Sequence, residues 1–144
     1  MARALAAARK AAEAGEVPVG AVVVHAPTGR VLAEAGNRVE TDRDPTAHAE
    51  MLAIRAAARA LGAPRLVDCD LYVNLEPCAM CAQAIAHARI RRLVFGAYDP
   101  KGGGVEHGSR VFEQPTCHHR PEVVGGVEET QAGALLKDFF AERR

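Results

Sequence analysis

The sequence predicts one α/β domain, a three-layer α/β/α sandwich on a five-stranded mixed sheet. Segments with helical spacing of apolar residues alternate with short β-branched segments along the chain. Helices or a long connection separate strands three, four and five, so those strands can pair in parallel. The 144 residues, 49% of them hydrophobic, suffice for one core and not for two typical domains. We therefore expect a single domain over residues 1–144.

The first half of the chain predicts a helix, a β-hairpin and a second helix. Residues 1–15 place alanine and leucine at helical spacing and end in a glycine, which is typical of a helix C-cap. The apolar run at 17–24 predicts a buried strand. After the turn APTG, the shorter and more polar run at 30–36 predicts an edge strand paired with it. The next helix is predicted to begin after an N-cap Thr46 and to end at Gly62.

The second half predicts three strands, two helices and one long loop. Residues 69–75 predict a strand that leads into a helix over 78–90. A strand over 91–99 follows, and a glycine-rich loop separates it from a short strand over 121–127. Residues 128–144 predict an amphipathic helix. Its apolar side is formed by Leu135, Leu136, Phe139 and Phe140.

Composition restricts the classes of function. Lys+Arg and Asp+Glu both number 18, so the formal net charge is zero. This balance argues against a uniformly basic nucleic-acid binder but allows a local basic patch. Met1 leads directly into an alanine-rich amphipathic run, and no run reaches the length of a membrane span. We therefore expect a cytoplasmic, reduced protein without a membrane anchor, in which a C-x-x-C pair binds metal or acts in redox chemistry.

Two short motifs supply the ligands of a catalytic zinc site. TAHAE contains His48 and Glu50, and EPCAMC contains Cys78 and Cys81. A catalytic zinc needs three protein ligands and one open position, and one histidine with two cysteines at i and i+3 meets that need. Glu50, in the first turn of its predicted helix, could transfer a proton between water and a substrate nitrogen. The set suits hydrolytic loss of ammonia from an electron-poor ring carbon, and the spacing H-x-E…P-C-x-x-C is typical of zinc nucleobase deaminases.

Other readings of these residues remain open. A lone C-x-x-C is also found in redox proteins, and a structural zinc would require a fourth protein ligand. Four further residues could be nominated as that ligand or as a second metal site. They are Cys69, Cys117, His118 and His119. We expect Cys69 in the core, because it opens a predicted strand, and the segment TCHH on the surface, because it follows Pro115 in a loop.

With these residues in place, the chain resembles the bacterial tRNA-specific adenosine deaminases of the cytidine-deaminase-like superfamily. The resemblance covers nearly the whole chain and extends well beyond the metal motif. It is carried by EVPVGAVVV, GNR, DPTAHAEMLAIR, LYVNLEPCAMC, ARIRRLVFGAYDPKGG and LLKDFFAERR. It implies a cytidine-deaminase-like fold with one Zn²⁺ per subunit. It also implies that the family's first helix starts before Met1, so we expect N-terminal residues to be missing from this sequence.

The resemblance implies a reaction and a partner for it. The expected reaction converts adenosine to inosine at the wobble position of a tRNA anticodon, typically in an arginine tRNA. The expected enzyme is a homodimer whose partner subunit helps to build the RNA groove. Between Lys101 and Glu122 the sequence departs from many family members. The resemblance therefore does not assign the details of RNA contact in this segment.

The resemblance also assigns roles to residues. His48, Cys78 and Cys81 match the zinc ligands, and Glu50 matches the proton shuttle. Asn37 matches a side chain that hydrogen-bonds the flipped base, and backbone amides near Ala49 and Cys78 match groups that hold the ring and the water. The remaining matched substrate contacts are Asp99, Lys101, Phe140, Arg143 and Arg144.

Two rival functions use the same residues. A zinc deaminase of a free base or nucleoside, of the guanine or cytosine type, would need the same ligands and the same glutamate, and zero net charge favours it over a polyanion binder. A non-catalytic, metal-bound interaction module is the second rival. Glu50 argues against that module, because a structural metal site needs no acid beside an open position.

Overall fold

The computed structural model describes residues 1–143, and Arg144 lies outside the described residues. The described residues contain four helices and five strands in the order α-β-β-α-β-α-β-β-α, with one turn of 3-10 helix at Val111–Glu113 between the last two strands. The helices are α1 (Ala2–Glu13), α2 (Ala49–Leu61), α3 (Ala79–His87) and α4 (Glu129–Glu142). The strands are β1 (Gly20–His25), β2 (Arg30–Gly36), β3 (Cys69–Leu75), β4 (Arg92–Ala97) and β5 (Glu122–Val124).

The five strands form one mixed sheet in the order β2-β1-β3-β4-β5. β1 pairs antiparallel with both β2 and β3, whereas β3, β4 and β5 run parallel to one another. The parallel pairs are those whose connections are long enough to cross the sheet, as expected from the sequence. The mixed sheet and the edge position of β2 are therefore confirmed.

Helices cover both faces of the sheet. α1 and α4 contact each other and lie on one face. On that face Gly20 of β1 lies against Ala4 and Ala8 of α1, and Gly96 of β4 lies against Ala132 of α4. α2 and α3 lie on the other face, where the larger hydrophobic core is found. This arrangement confirms the predicted α/β/α layers. Among residues 1–143, no helix combines the length and the apolar character needed to cross a membrane.

Several predicted boundaries are wrong. Helix α3 was expected over 78–90 and spans Ala79–His87, and β5 was expected over 121–127 and spans Glu122–Val124. The C-cap of α1 is Ala14 rather than Gly15.

Two further differences have a local cause. β1 begins at Gly20 rather than at residue 17, because the Val19 N–H bonds to the Val17 carbonyl in a tight turn. The N-cap of α2 is His48 rather than Thr46. Both the N–H and the hydroxyl of Thr46 bond to Asp44 Oδ1, at 2.8 and 2.7 Å, so Thr46 serves the loop and not the helix.

Gly20 marks the closest approach of α1 to the sheet, and we expect Gly20→Ala to destabilise the fold. A Cβ at this position would overlap the Ala4 carbonyl and lie 2.6 Å from the Ala8 nitrogen, both of them backbone atoms. Backbone cannot move aside cheaply, so the free energy of unfolding should fall by about 1–3 kcal/mol. Denaturant unfolding measures this change.

Gly133→Ala is the matched control for that variant. Gly133 lies in α4, and a Cβ there would meet nothing within 4 Å. Alanine is a better helix former than glycine, so the free energy of unfolding of this variant should stay unchanged or rise by about 0.5–1 kcal/mol. Equal unfolding free energies for the two variants would contradict the close packing of α1 on the sheet.

Candidate active site

A cavity of about 610 Å³ opens where the loop after β2, the start of α2 and the turn after β3 meet. It is lined by predicted site residues from separate parts of the chain, together with residues that the sequence did not single out. The predicted residues on its wall are Asn37, His48, Glu50, Cys78, Asp99 and Arg143. The others are Gly15, Glu16, Val17, Val19, Val39, Glu40, Leu75, Glu76, Gly102 and Phe139.

The three predicted metal ligands come together beside this cavity. The ligand atoms of His48, Cys78 and Cys81 all lie within 4.8 Å of one another. His48 is the N-cap of α2, Cys78 is the N-cap of α3, and Cys81 lies in the first turn of α3. Two helix N-termini therefore meet at this point, and their partial positive charges favour thiolates over thiols.

The spacing of these atoms fits zinc. The distance from His48 Nδ1 to Cys81 Sγ is 3.5 Å, and that to Cys78 Sγ is 3.7 Å. With ordinary Zn–N and Zn–S bond lengths, two ligands of a tetrahedral ion lie about 3.6 Å apart. A zinc ion held by one imidazole and two thiolates would retain one coordination position for water, as a catalytic zinc requires. The residues present thus fit one zinc ion per chain.

The two cysteines differ sharply in acidity. The Cys81 thiol donates to the Cys78 sulfur, and this hydrogen bond lowers the pKa of Cys78 to about 5. The same bond, reinforced by burial, raises the pKa of Cys81 well above its ordinary value. Binding of a metal ion by two thiolates therefore releases a thiol proton from this pair.

Glu50 is a buried acid near the metal ligands. Its side chain is only 4% exposed, although it lies in the first turn of α2, where helix N–H groups would favour a carboxylate. Burial outweighs those groups and raises the pKa of Glu50 to about 7. A carboxyl group with this pKa can accept and donate protons near neutrality, which is what a general acid and base must do.

Asn37 and Ala49 interact with each other. The Ala49 N–H donates to Asn37 Oδ1 at 2.8 Å, and Ala49 is fully buried. This hydrogen bond fixes the amide of Asn37 at the cavity wall and ties the loop after β2 to the start of α2. With Oδ1 occupied, the Asn37 Nδ2 group remains as the donor available to a ligand. The Ala49 amide, predicted to hold the ring, is already committed within the protein.

The C-terminal helix contributes a different aromatic residue from the one predicted. Phe139, 7% exposed, lines the cavity, whereas Phe140 is 48% exposed and lies outside the lining. The Arg143 guanidinium lies 3.5 Å above the Phe139 ring in a cation–π contact, and Arg143 also lines the cavity. The structure thus places Arg143 and Phe139 at the cavity and leaves Phe140 exposed, so that a substrate contact of Phe140 stays a prediction.

Asp99 and Lys101 occupy different positions in the loop after β4. Asp99 lines the cavity, and its Oδ1 accepts the N–H groups of Lys101 and Gly102 at 3.2 and 2.9 Å. Lys101 is exposed and does not line the cavity, whereas its neighbour Gly102 does. Lys101 is thus placed for contact with a ligand that extends beyond the cavity.

Two buried carboxylates that no sequence motif predicts bind two loops that line the cavity. Glu16, 2% exposed, accepts the N–H of Glu40 and both the N–H and the hydroxyl of Thr41, which lie in the loop after β2. Glu76, also 2% exposed, accepts four backbone N–H groups from the loop after β4. Glu76 directly precedes the P-C-x-x-C motif, and that position is the only local signal it gives.

The segment TCHH does not build a second metal site. Within residues 1–143, the only cluster with metal-ligand spacing is His48, Cys78 and Cys81. His119 Nε2 lies 2.7 Å from the Ile90 carbonyl, and Cys117 Sγ donates to the His119 carbonyl at 3.1 Å. Cys69 is fully buried in the core, as expected.

The family model for the cytidine and deoxycytidylate deaminase zinc-binding region matches residues 1–97. The tRNA-specific adenosine deaminase of Agrobacterium fabrum (strain C58 / ATCC 33970) is 57% identical over 141 residues, which cover 98% of this chain and 91% of that protein. A solved structure from a study of A-to-I editing by tRNA:A34 deaminases is 57% identical, with a TM-score of 0.91. That similarity covers 94% of this chain and 97% of the solved one.

A guanine deaminase from Nitrosomonas europaea shares the fold at greater distance. It is 26% identical, with a TM-score of 0.80, over 97% of this chain and 82% of the solved one. The same arrangement of sheet and helices thus occurs in a protein named for a free base. The fold alone therefore does not distinguish between substrates. Sequence identity over the full length is stronger evidence for the class of substrate.

Proposed function

Because the chain belongs to the cytidine and deoxycytidylate deaminase zinc-binding family and, within it, to the tRNA-specific adenosine deaminases, we propose that residues 1–144 form one deaminase domain that edits an arginine tRNA as a homodimer in the cytoplasm. The reaction itself is zinc-dependent, hydrolytic deamination of adenosine to inosine at the wobble position of a tRNA anticodon. The observation that carries it is the cluster of His48, Cys78 and Cys81 beside the cavity whose lining includes Glu50.

The protein's own groups divide the chemistry between them. His48, Cys78 and Cys81 would hold zinc, which when bound would supply a Lewis acid that lowers the pKa of a water molecule toward neutrality. Glu50 takes a proton from the attacking water and delivers it to the amino nitrogen at C6 of adenine. The C6–N bond breaks and ammonia leaves, while the second proton of the water passes to N1, so that the water oxygen becomes the 6-oxo group of inosine.

The walls of the cavity hold and orient the base. Asn37 offers its Nδ2 group to a ring nitrogen, because its Oδ1 already accepts the Ala49 N–H. Val17, Leu75 and Phe139 give apolar surface on which a flat purine can rest. A cavity of about 610 Å³ has room for a nucleotide extracted from an anticodon loop, where bases unstack at modest cost.

The charges at the cavity favour entry of a base over entry of phosphate. The lining contains five carboxyl side chains, from Glu16, Glu40, Glu50, Glu76 and Asp99, and only one arginine, Arg143. Phosphate groups would be repelled from such a lining and must be bound outside it. The exposed Lys101 and Arg143 at the rim are available for that contact. Zero net charge is compatible with RNA binding if cations are local in this way.

The arginine tRNA, the homodimer and the cytoplasmic location rest on the family resemblance. A partner subunit would also cover exposed apolar side chains, of which Tyr98, Val124 and Phe140 are 38–48% exposed. All four cysteines are free thiols, which suits a reducing compartment.

The substrate assignment is tested with an anticodon stem-loop of arginine tRNA that carries adenosine at the wobble position. We expect inosine to form in this RNA, and no product from a matched stem-loop with guanosine at that position. Free adenosine, guanine and cytosine are assayed in parallel. Each arm is repeated after chelation and after zinc is restored, because metal removal should abolish the activity and zinc should recover it.

Turnover of free bases without turnover of the stem-loop would overturn the RNA assignment and favour the free-base rival. Equal turnover of stem-loops from arginine tRNA and from other tRNAs would leave editing intact but overturn the arginine assignment. Sedimentation at assay concentration tests the homodimer, since a stable monomer with full activity would contradict it.

A further inference from the structure

Glu76 is the most heavily hydrogen-bonded carboxylate in residues 1–143. Its Oε1 accepts the Asp99 N–H at 3.0 Å and lies 2.8 Å from His107 Nδ1. Its Oε2 accepts the N–H groups of Val105, Glu106 and His107 at 3.2, 2.9 and 3.2 Å. One side chain thus binds both ends of the loop 99–107, which forms a wall of the cavity through Asp99 and Gly102.

The same loop also packs onto the turn that supplies a zinc ligand. The Gly104 N–H donates to the Pro77 carbonyl at 2.8 Å. A Cβ on Gly104 would lie 2.5 Å from the Ala79 nitrogen, and a Cβ on Gly103 would overlap the Glu76 carboxylate. Two consecutive glycines therefore let the loop lie directly against residues 76–79, which hold Cys78.

We propose that Glu76 is a positioning residue for substrate binding, which fixes the loop 99–107 relative to the zinc ligand Cys78. The proposal rests on the proposed function, since it concerns the substrate of that same site. Glu76 and Cys78 lie two residues apart on one turn, so that turn places both the metal ligand and the part of the cavity wall formed by Asp99 and Gly102. Glu76 touches no reacting atom in this scheme and acts through the loop.

A carboxylate is the group that this position requires. The loop presents four N–H donors to it, and a carboxylate only accepts, through both of its oxygens. Glutamine has the same shape but would turn an NH₂ donor toward some of those N–H groups. Glu76→Gln should therefore release one end of the loop while keeping the volume of the side chain and its reach from the turn.

Loosening the loop should affect substrate binding more than chemistry. Asp99 and Gly102 are on the wall and not at the metal ligands, so they contact substrate in its ground state and its transition state alike. Loss of such uniform binding raises KM with little change in kcat. We expect Glu76→Gln to raise KM for the stem-loop by about tenfold or more, with kcat within about threefold of the wild type and one zinc per chain retained.

Gly103→Ala tests the same contact from the loop side, without touching the turn that holds Cys78. Its added methyl group would push against the Glu76 carboxylate and would lie 2.6 Å from the Asp99 carbonyl, where Glu76 binds the loop, so KM should rise in the same way. The two changes act on one contact and should not add, so the double variant should show no more than about the larger single effect. Gly133→Ala is the matched control, because a Cβ there meets nothing within 4 Å.

Hydrogen exchange separates this proposal from the substrate assignment. In both variants the amides of Val105, Glu106 and His107 should exchange faster than in the wild type, with or without substrate. Faster exchange with an inactive wild-type enzyme would reject the substrate assignment and retain the loop role. Unchanged exchange or unchanged KM in Gly103→Ala would overturn the proposal. Loss of zinc or folding in Glu76→Gln, with normal KM in Gly103→Ala, would make Glu76 a merely structural residue and overturn it as well.

Discussion

Glu50→Ala should bind zinc as the wild type does and lose turnover by about 10²- to 10⁴-fold. Glu50 is not among the three clustered metal ligands, so its removal leaves the zinc site intact. It is, however, the buried carboxyl group whose pKa is raised to about 7, and the cavity offers no second group so placed. Without it, water and the amino group of adenine lose their common proton carrier. The measurement is inosine formation in the stem-loop, with zinc content determined on the same preparation.

Glu13→Ala is the matched control for that prediction, because Glu13 is an exposed glutamate at the end of α1. It should leave turnover and zinc content unchanged. Glu50→Ala should not lower the melting temperature either, since the variant removes a buried acid whose ionised form is disfavoured by desolvation. Retained turnover in Glu50→Ala would remove Glu50 from the mechanism. Loss of zinc in this variant would show that the effect on rate acts through the metal.

The metal centre could be predicted from the sequence because its ligands are defined by local motifs. Cys78 and Cys81 are three residues apart in one helical turn, and Glu50 is two residues from His48. Such spacings survive folding almost unchanged, since the geometry of one helical turn is fixed. The strand β3 was equally predictable, because the short run of Leu71, Tyr72 and Val73 followed by Pro77 is typical of a strand that ends before a helix.

The walls of the cavity could not be predicted in the same way. The partners of Glu76 lie 23 to 31 residues later in the chain, so no local pattern reports them. Phe139 and Phe140 are neighbours in a broad apolar stripe with Leu135 and Leu136, and spacing alone does not say which aromatic ring faces the cavity. That choice depends on how α4 is rotated against β4, which is a tertiary contact. The predicted N-cap of α2 was wrong for a related reason. Threonine is a common N-cap residue, but the Thr46 hydroxyl donates to Asp44 instead of capping the helix.

Cys81→Ser should remove both the metal and the activity, and it should destabilise the protein. A serine hydroxyl does not ionise at neutral pH, so the site would keep only one thiolate and one imidazole. Loss of a residue that only hydrogen-bonds a metal ligand weakens metal affinity by about 10- to 100-fold. Loss of the ligand Cys81 itself should weaken zinc affinity by more than that. Because zinc binds the folded chain in preference to the unfolded one, the melting temperature should fall and should no longer respond to added zinc.

Cys117→Ser provides the matched control for that loss, because Cys117 is also a partly buried free thiol and donates only to the His119 carbonyl. A hydroxyl can make the same hydrogen bond, so zinc content, melting temperature and turnover should stay at wild-type values. Metal analysis, thermal unfolding with and without added zinc, and the stem-loop assay measure the three quantities on each variant. If Cys81→Ser retained one zinc per chain, the 3.5 Å approach of its sulfur to His48 would be ordinary packing, and a different third ligand would have to complete the centre.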